Sequence, residues 1–269
     1  EIVVRIPAYI GWPLMAVSGY GLLCFWASRA VYYPMKHPQG NWDLLAEYDG
    51  EPNGLKIHLD GRIFIADYRN GLMQLDPDTG RVTPCLSRRN SENFKGLNDL
   101  VFASNGDLFF TDQGQTGLHD PTGRVYRLSR EGKLDCLIAN VPSPNGLVLD
   151  PEESILYVAA TRGNAVWRMP LMRDGSVSKV GLFFQFFGSS GPDGLAMDEA
   201  GNLVVAHASL GSAFVLSKKG ELLYQIRACS GGTVTNAAFG GQDRRSRRLR
   251  AGRARRPEGR PRRRRCGGV

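Results

Sequence analysis

Five oxygen-bearing side chains recur along the chain at nearly equal spacing: Asn53, Asn98, Asn145, Asp193 and Asn236, with steps of 45, 47, 48 and 43 residues. Each stands in a similar short context, Pro52-Asn53-Gly54-Leu55, Leu97-Asn98-Asp99-Leu100, Pro144-Asn145-Gly146-Leu147, Pro192-Asp193-Gly194-Leu195 and Thr235-Asn236-Ala237-Ala238. Amide oxygens joined by one or two carboxylates suit a hard divalent cation, because such ions take oxygen donors. One divalent cation is therefore expected, Ca²⁺ first, with Zn²⁺, Mn²⁺ or Mg²⁺ as alternatives. Of the five, only Asp193 brings a full negative charge. A single Asn-Gly or Asp-Gly pair reads as a turn before a strand, whereas five in register argue that the side chains converge on one place.

Convergence requires a repeated scaffold, and the residues between the motifs supply one. After Asn53 come an apolar run, an Asp60-Gly61 turn, the alternating strand Arg62-Ile63-Phe64-Ile65-Ala66-Asp67, then Gly71-Leu72-Met73-Gln74-Leu75 and Arg81-Val82-Thr83-Pro84-Cys85-Leu86. The next units repeat the order, and none shows a sustained helical period. Four short strands per unit at a period in the forties is the signature of a β-propeller blade. The fold class expected is all-β, a β-propeller of four-stranded blades, about four of them complete. The first strand of each blade would line a central channel, with the Asn or Asp at its mouth. His119, in Gly117-Leu118-His119-Asp120-Pro121, falls on a loop at that face and is a candidate to orient substrate, while a turn-capping role is the plainer alternative. His58 and His207 read as structural, and Phe183-Phe184-Gln185-Phe186-Phe187 reads as a buried outer strand.

Composition fits such a body. The 269 residues are 42% hydrophobic and 22% charged, with 33 Gly for the turns. The net charge of +8 is misleading, because thirteen arginines and only Glu258 fall within residues 244–265 and leave the remainder mildly acidic. No nucleic-acid surface is expected of the folded body. Cys24, Cys85, Cys136, Cys229 and Cys266 are scattered without a C-x-x-C pair, which points to reduced thiols and a cytoplasmic setting. Residues 6–28 carry no charge and approach the ~20 residues of a bilayer span, but Pro7 and Pro13 argue against an anchor. The organisation expected is an atypical segment over residues 1–40, the propeller over 41–243, and an Arg-rich tail over 244–269. That tail is either disordered or the product of a shifted reading frame, since strand alternation stops within a repeat.

On the motifs Gly96-Leu97-Asn98-Asp99-Leu100, Asn105-Gly106-Asp107-Leu108-Phe109-Phe110-Thr111-Asp112, Ser143-Pro144-Asn145-Gly146-Leu147, Gly191-Pro192-Asp193-Gly194-Leu195 and Thr235-Asn236-Ala237-Ala238-Phe239-Gly240-Gly241, the chain resembles the gluconolactonase/regucalcin (senescence marker protein) family of six-bladed propeller lactonases. The resemblance runs over residues 42–241 and implies metal-dependent hydrolysis of a lactone, a small-molecule substrate, to a hydroxy acid. It implies Asn145 and Asp193 as metal ligands, Asp193 as the general base, and Asn98 as the residue that holds substrate or a metal-bound water. The recurring ring itself adds Asn98 as a candidate metal ligand and Asn53, with the loop residue His119, as candidate substrate-binding residues. Three departures stand out. The family's first-blade Glu ligand has no counterpart here, Gly96 replaces an Arg two residues before the Asn with Lys95 beside it as a substitute, and the first and last blades are missing or disrupted. The competing expectation is therefore an inactive, truncated propeller that serves as a binding module or reflects a mispredicted gene product. A weaker third is nucleic-acid association through the arginine tail.

Overall fold

Apolar side chains alternate along the middle strands, and both faces of those strands are buried, so successive sheets must stack face to face. The computed structural model describes residues 43–228 and 232–240, together with the backbone of the strands within residues 14–33 and 246–252. The first antiparallel sheet holds β1 (Leu14–Ala16), β2 (Leu23–Phe25), β3 (Ala30–Tyr33) and β4 (Asp43–Glu47) in chain order. The second holds β5 (Pro52–Ile57), β6 (Ile63–Asp67), β7 (Gly71–Leu75) and β8 (Val82–Leu86). A small hairpin, β9 (Arg88–Arg89) and β10 (Glu92–Asn93), precedes the third sheet of β11 (Leu97–Phe102), β12 (Leu108–Asp112), β13 (Gly123–Leu128) and β14 (Leu134–Val141). The fourth contains β15 (Pro144–Leu149), β16 (Ile155–Ala160), β17 (Ala165–Pro170) and β18 (Gly181–Gln185), with a 3₁₀ turn at Thr161–Gly163. The fifth contains β19 (Pro192–Met197), β20 (Leu203–His207), β21 (Ser212–Leu216) and β22 (Leu222–Arg227), and β23 (Thr233–Gly240) pairs with β24 (Ser246–Gly252).

The structure is all-β, built of antiparallel four-stranded sheets of the propeller kind. Strands β5, β11, β15, β19 and β23 lie side by side in succession, and β1 touches both β5 and β23. Cores fill the spaces between neighbouring sheets. Ile63 and Ile65 of β6 face one cluster with Leu55 and Ala46, whereas Phe64 and Ala66 face the next with Leu97, Phe110 and Tyr126. The period of two in a strand sends neighbours to opposite faces, and each large apolar side chain so buried contributes about 1.5–3 kcal/mol. Thr111 Oγ1 donates to the Asn145 carbonyl (2.7 Å) and Thr161 Oγ1 to the Pro192 carbonyl (2.7 Å), so hydrogen bonds as well as packing tie one sheet to the next.

Strand pairing reaches beyond the span expected from the sequence. Strands within residues 14–33 pair onto β4, so a four-stranded sheet stands where the first blade was expected to be missing. At the other end, β24 lies inside the Arg-rich segment and pairs with β23, whose edge offers unpaired backbone groups to any strand alongside. The rest of the expected tail and most of residues 6–28 lie outside the described residues. Among the described residues, no helix is long and apolar enough to cross a membrane. The run Phe183–Phe187 does not form a buried strand. It lies on the outer edge, where Leu182 and Phe187 are exposed, Phe183 and Phe184 are half-buried, and only Phe186 is buried.

Candidate functional site

The recurring Asn and Asp residues do not sit in turns before the strands. Each lies inside an inner strand at a break in register: between Pro52 and Gly54 in β5, Leu97 and Leu100 in β11, Pro144 and Leu147 in β15, Pro192 and Leu195 in β19, and Val234 and Asn236 in β23. Such a bulge bends the strand and re-aims a side chain. The glycine that follows has a different purpose from the one its turn-like context suggests. Gly54, Gly146 and Gly194 are not among the positive-φ residues. A Cβ on Gly54 would meet the Asn98 carbonyl oxygen at 2.6 Å, and one on Gly146 would meet Gly194 Cα and Leu195 N at 2.8 Å. These glycines let adjacent inner strands approach closely, which brings the oxygens of neighbouring sheets together.

Asn53, Asn98, Asn145 and His119 all line one cavity of about 800 Å³, with Tyr68, Gln113, Gln115, Ser143 and Arg162 among its other walls. A chain of amides fixes the floor. Asn98 Nδ2 donates to Gln113 Oε1 (2.7 Å), and Gln113 Nε2 donates to Ser143 Oγ (2.8 Å). Asn98 therefore keeps its own carbonyl oxygen free of hydrogen bonds among the described residues. Asn53 Oδ1 is buried with no hydrogen-bond partner among the described residues, an acceptor in want of a donor or a cation.

Asp193 is not on the cavity wall but neighbours Asn145, whose amide favours the charged form of the Asp193 carboxyl. Asp193 is half-buried by surface area, yet protein crowds it closely enough to strip most of its solvent. That desolvation, reinforced by the negative charge of Asp99, pushes its carboxyl up to about 7, and the Asn145 hydrogen bond opposes the shift. Asp99 is itself buried, and its carboxyl is raised by the same loss of solvent. The two carboxyl groups are thus close enough for the charge on one to disfavour ionisation of the other. Asn236 lies over Gly194 rather than on the cavity wall. Sequence reasoning passed over Asp99, although it adjoins Asn98 in the same motif. Ser143 opens the Asn145 motif but was not singled out, whereas Gln113, Tyr68 and Arg162 come from connections outside the repeated motif and carried no signal of their own.

The structure also explains the substitution at position 96. Gly96 has φ +148°, and a Cβ there would fall 2.6–2.8 Å from ring atoms of Tyr68. The Tyr68 ring fills the space that a side chain at 96 would need, and its hydroxyl accepts from Gln115 Nε2 (2.6 Å). Lys95 does not take over, since its Nζ hydrogen-bonds to Thr122 Oγ1 and it is absent from the cavity wall. The backbone preceding Asn98 is held by Asp112, which accepts the Gly96 N–H (2.8 Å) and whose carboxyl burial raises to about 6.

His207 ends β20, fully buried, with Nε2 bonded to Asn164 Oδ1 (2.9 Å) and Nδ1 without a partner among the described residues. Burial against Phe186 and Phe214 lowers it to about 4 from 6.5. The unfolded chain then binds a proton more readily than the folded one, so this group's contribution is intact above about pH 6.5 and lost as pH falls through about 4. Thermal unfolding followed from pH 7 to 4 should show a decline that is shallower in His207→Gln, which keeps a polar partner for Asn164 without a titrating ring.

Comparison with known proteins agrees with this architecture. The sequence profile described as the SMP-30/Gluconolactonase/LRE-like region matches residues 25–246, and the chain belongs to that family. A gluconolactonase of Zymomonas mobilis is 32% identical over 206 residues, covering 70% of this chain and 57% of its own length. A lactonase drp35 of Staphylococcus saprophyticus is 32% identical over 220 residues, covering 78% of this chain and 66% of its own. The chain thus spans somewhat under two thirds of these relatives. Among solved structures, a gluconolactonase from Xanthomonas campestris superposes with a TM-score of 0.78 at 23% identity, covering 90% of this chain and 84% of that one. A calcium-binding regucalcin from Agrobacterium tumefaciens gives 0.73 at 24%, covering 89% and 81%. At these identities the structural likeness establishes the fold.

Proposed function

We propose that the protein hydrolyses a lactone to a hydroxy acid, with six sheets closing around one channel and a divalent cation held at its mouth. The observation that carries this reading is that the unpartnered Asn53 oxygen and Asn145, the neighbour of Asp193, line one cavity walled by amides and hydroxyls. The oxygen donors of Asn145 and Asp193, with Asn98 and Asn53 near them, fit a hard cation such as Ca²⁺. When bound, that ion supplies a Lewis acid for a carbonyl oxygen. Asp193 takes a proton as water adds to the lactone carbonyl carbon. The ring C–O bond then breaks, the proton passes to the departing oxygen, and the product is the hydroxy acid. Asn145 holds the Asp193 carboxyl in place, and Asn98, braced by Gln113, presents its amide oxygen to substrate.

One sequence fact favours a second reading, an inactive scaffold that only binds. No Asp or Glu occurs between Glu1 and Asp43, so the first sheet offers its inner strand no carboxylate. Acid release from sugar and aromatic lactones, measured with Ca²⁺, with chelator, and after Ca²⁺ is restored, separates the two. Hydrolysis that disappears with chelator and returns with Ca²⁺ supports the enzyme. Rates equal to buffer throughout, with cation binding retained, support the scaffold.

A further inference from the structure

We infer that Arg162 makes this cavity selective for lactones bearing a free carboxylate, an inference about substrate class that rests on the lactonase reading above. Arg162 lies in the 3₁₀ turn after β16, whose backbone is anchored on both sides of it. Its own N–H donates to the Pro142 carbonyl (3.2 Å), and Thr161 Oγ1 donates to the Pro192 carbonyl (2.7 Å). The side chain is exposed on the cavity wall beside His119. A Cβ at Gly117 would lie 3.1 Å from His119 Nδ1 and 3.7 Å from Arg162 Cγ, so both converge on the same short backbone segment.

Two further observations give that position a ligand chemistry. Among the described residues on the cavity wall, Arg162 is the one cation, no Asp or Glu accompanies it, and no ion pair engages it. By contrast, Arg124 and Arg127 are each committed to a carboxylate. An unpaired guanidinium facing an uncharged polar cavity is complementary to a planar anion, which it binds through two parallel N–H···O bonds. Position 96 has meanwhile lost the means to carry a side chain, because Tyr68 fills its space and Lys95 is tied to Thr122. The cavity's positive charge thus lies on the Asn145 side, where β16 ends next to the start of β15, and not on the Asn98 side. A carboxylate seated on Arg162 would place the lactone ring across the cavity toward the amides of Asn98 and Asn145.

The test compares γ-butyrolactone-γ-carboxylate with its γ-carboxamide, matched in ring and shape, in the full chain and in Arg162→Met and Arg162→Lys. Arg162→Met is expected to raise KM for the carboxylate by about 10- to 100-fold with kcat nearly unchanged, and to leave the carboxamide kinetics as they were. Arg162→Lys should recover only part of the loss, because an ammonium lacks the forked donor pair. An equal loss on both substrates, or none on the carboxylate, would overturn the inference. Calorimetric binding of the open-chain α-hydroxyglutarate reads the same contact without catalysis. If no lactone is cleaved but this diacid binds at least about 10-fold more weakly to Arg162→Met, the hydrolase reading fails while the role of Arg162 stands. Equal binding by both proteins ends it.

Discussion

Replacing Asp193 by Asn is expected to reduce lactone hydrolysis by about a hundred- to ten-thousand-fold, the range typical of removing a positioned general base. The side chains are nearly isosteric, so the loss would not come from packing. Asn keeps a hydrogen-bonding partner for Asn145 but can neither carry charge nor accept a proton. In the cation-free site, burial and then the neighbouring Asp99 push the Asp193 carboxyl up to about 7, whereas a cation bound beside it favours the charged form that accepts a proton. Wild-type rates should therefore climb with pH to a plateau reached by about pH 7, because the bound cation lowers the carboxyl from its cation-free position, and the residual rate of Asp193→Asn should lose that rise. The upward shift in the cation-free site has a consequence for stability. An unfolded Asp ionises near ~3.9, so the fold retains this proton more tightly. Its contribution favours folding below about pH 4 and is lost as pH rises toward 7. The variant, which cannot ionise, should be at least as stable as wild type at pH 8. A kinetic pH profile and a thermal scan of the two proteins check both halves, and a variant that loses activity only because it unfolds would show the opposite thermal result.

A large loss of stability is expected at a residue with no side chain. In Gly146→Ala, the new methyl would press on the Asp193 carbonyl oxygen, Gly194 Cα and Leu195 N of the neighbouring inner strand, none of which can rotate away. Backbone must move, at a cost of about 3 kcal/mol, or a Tm lower by roughly 6–12 °C for a chain of this size. Because β19 carries Asp193, the displaced strand should weaken activity too. Gly181→Ala is the matched control. Its methyl would meet only the Lys179 carbonyl, at 3.9 Å, and Tm should stay within about 1 °C of wild type. Comparable losses in both variants would mean that close approach of the inner strands is not what position 146 protects.

The spacing of Asn53, Asn98, Asn145 and Asp193 was legible because repetition forces each unit to deliver its side chain to an equivalent place, and three of the four line one cavity while the fourth neighbours Asn145. Their local geometry was not legible. Asn-Gly serves a turn and a close strand approach equally well, and only the neighbouring strand, some 45 residues away, decides between them. Asp99 was concealed by its adjacency to Asn98: in a regular strand the two would point to opposite faces, and the bulge between Leu97 and Leu100 breaks that rule. Tyr68 and Arg162 lie in connections after the second strands of their sheets, where the repeats do not match one another, so periodicity could not align them. Loss of the side chain at Gly96 was visible, but its cause, the Tyr68 ring, became apparent only with the chain folded. The end segments misled for a related reason. Strands in residues 14–33 and 246–252 lack the alternation that marks a blade, and their pairing depends on the sheets beside them rather than on their own sequence.

The measurement that bears most directly on a cation-assisted hydrolase is the anomalous difference map of crystals of the full chain grown with Mn²⁺ at pH 8. A single strong peak is expected in the channel mouth, bounded by the side chains of Asn145 and Asp193, and absent from crystals of Asp193→Asn. A well-ordered channel mouth with no peak there, or a peak unchanged in the variant, would contradict the proposed metal centre.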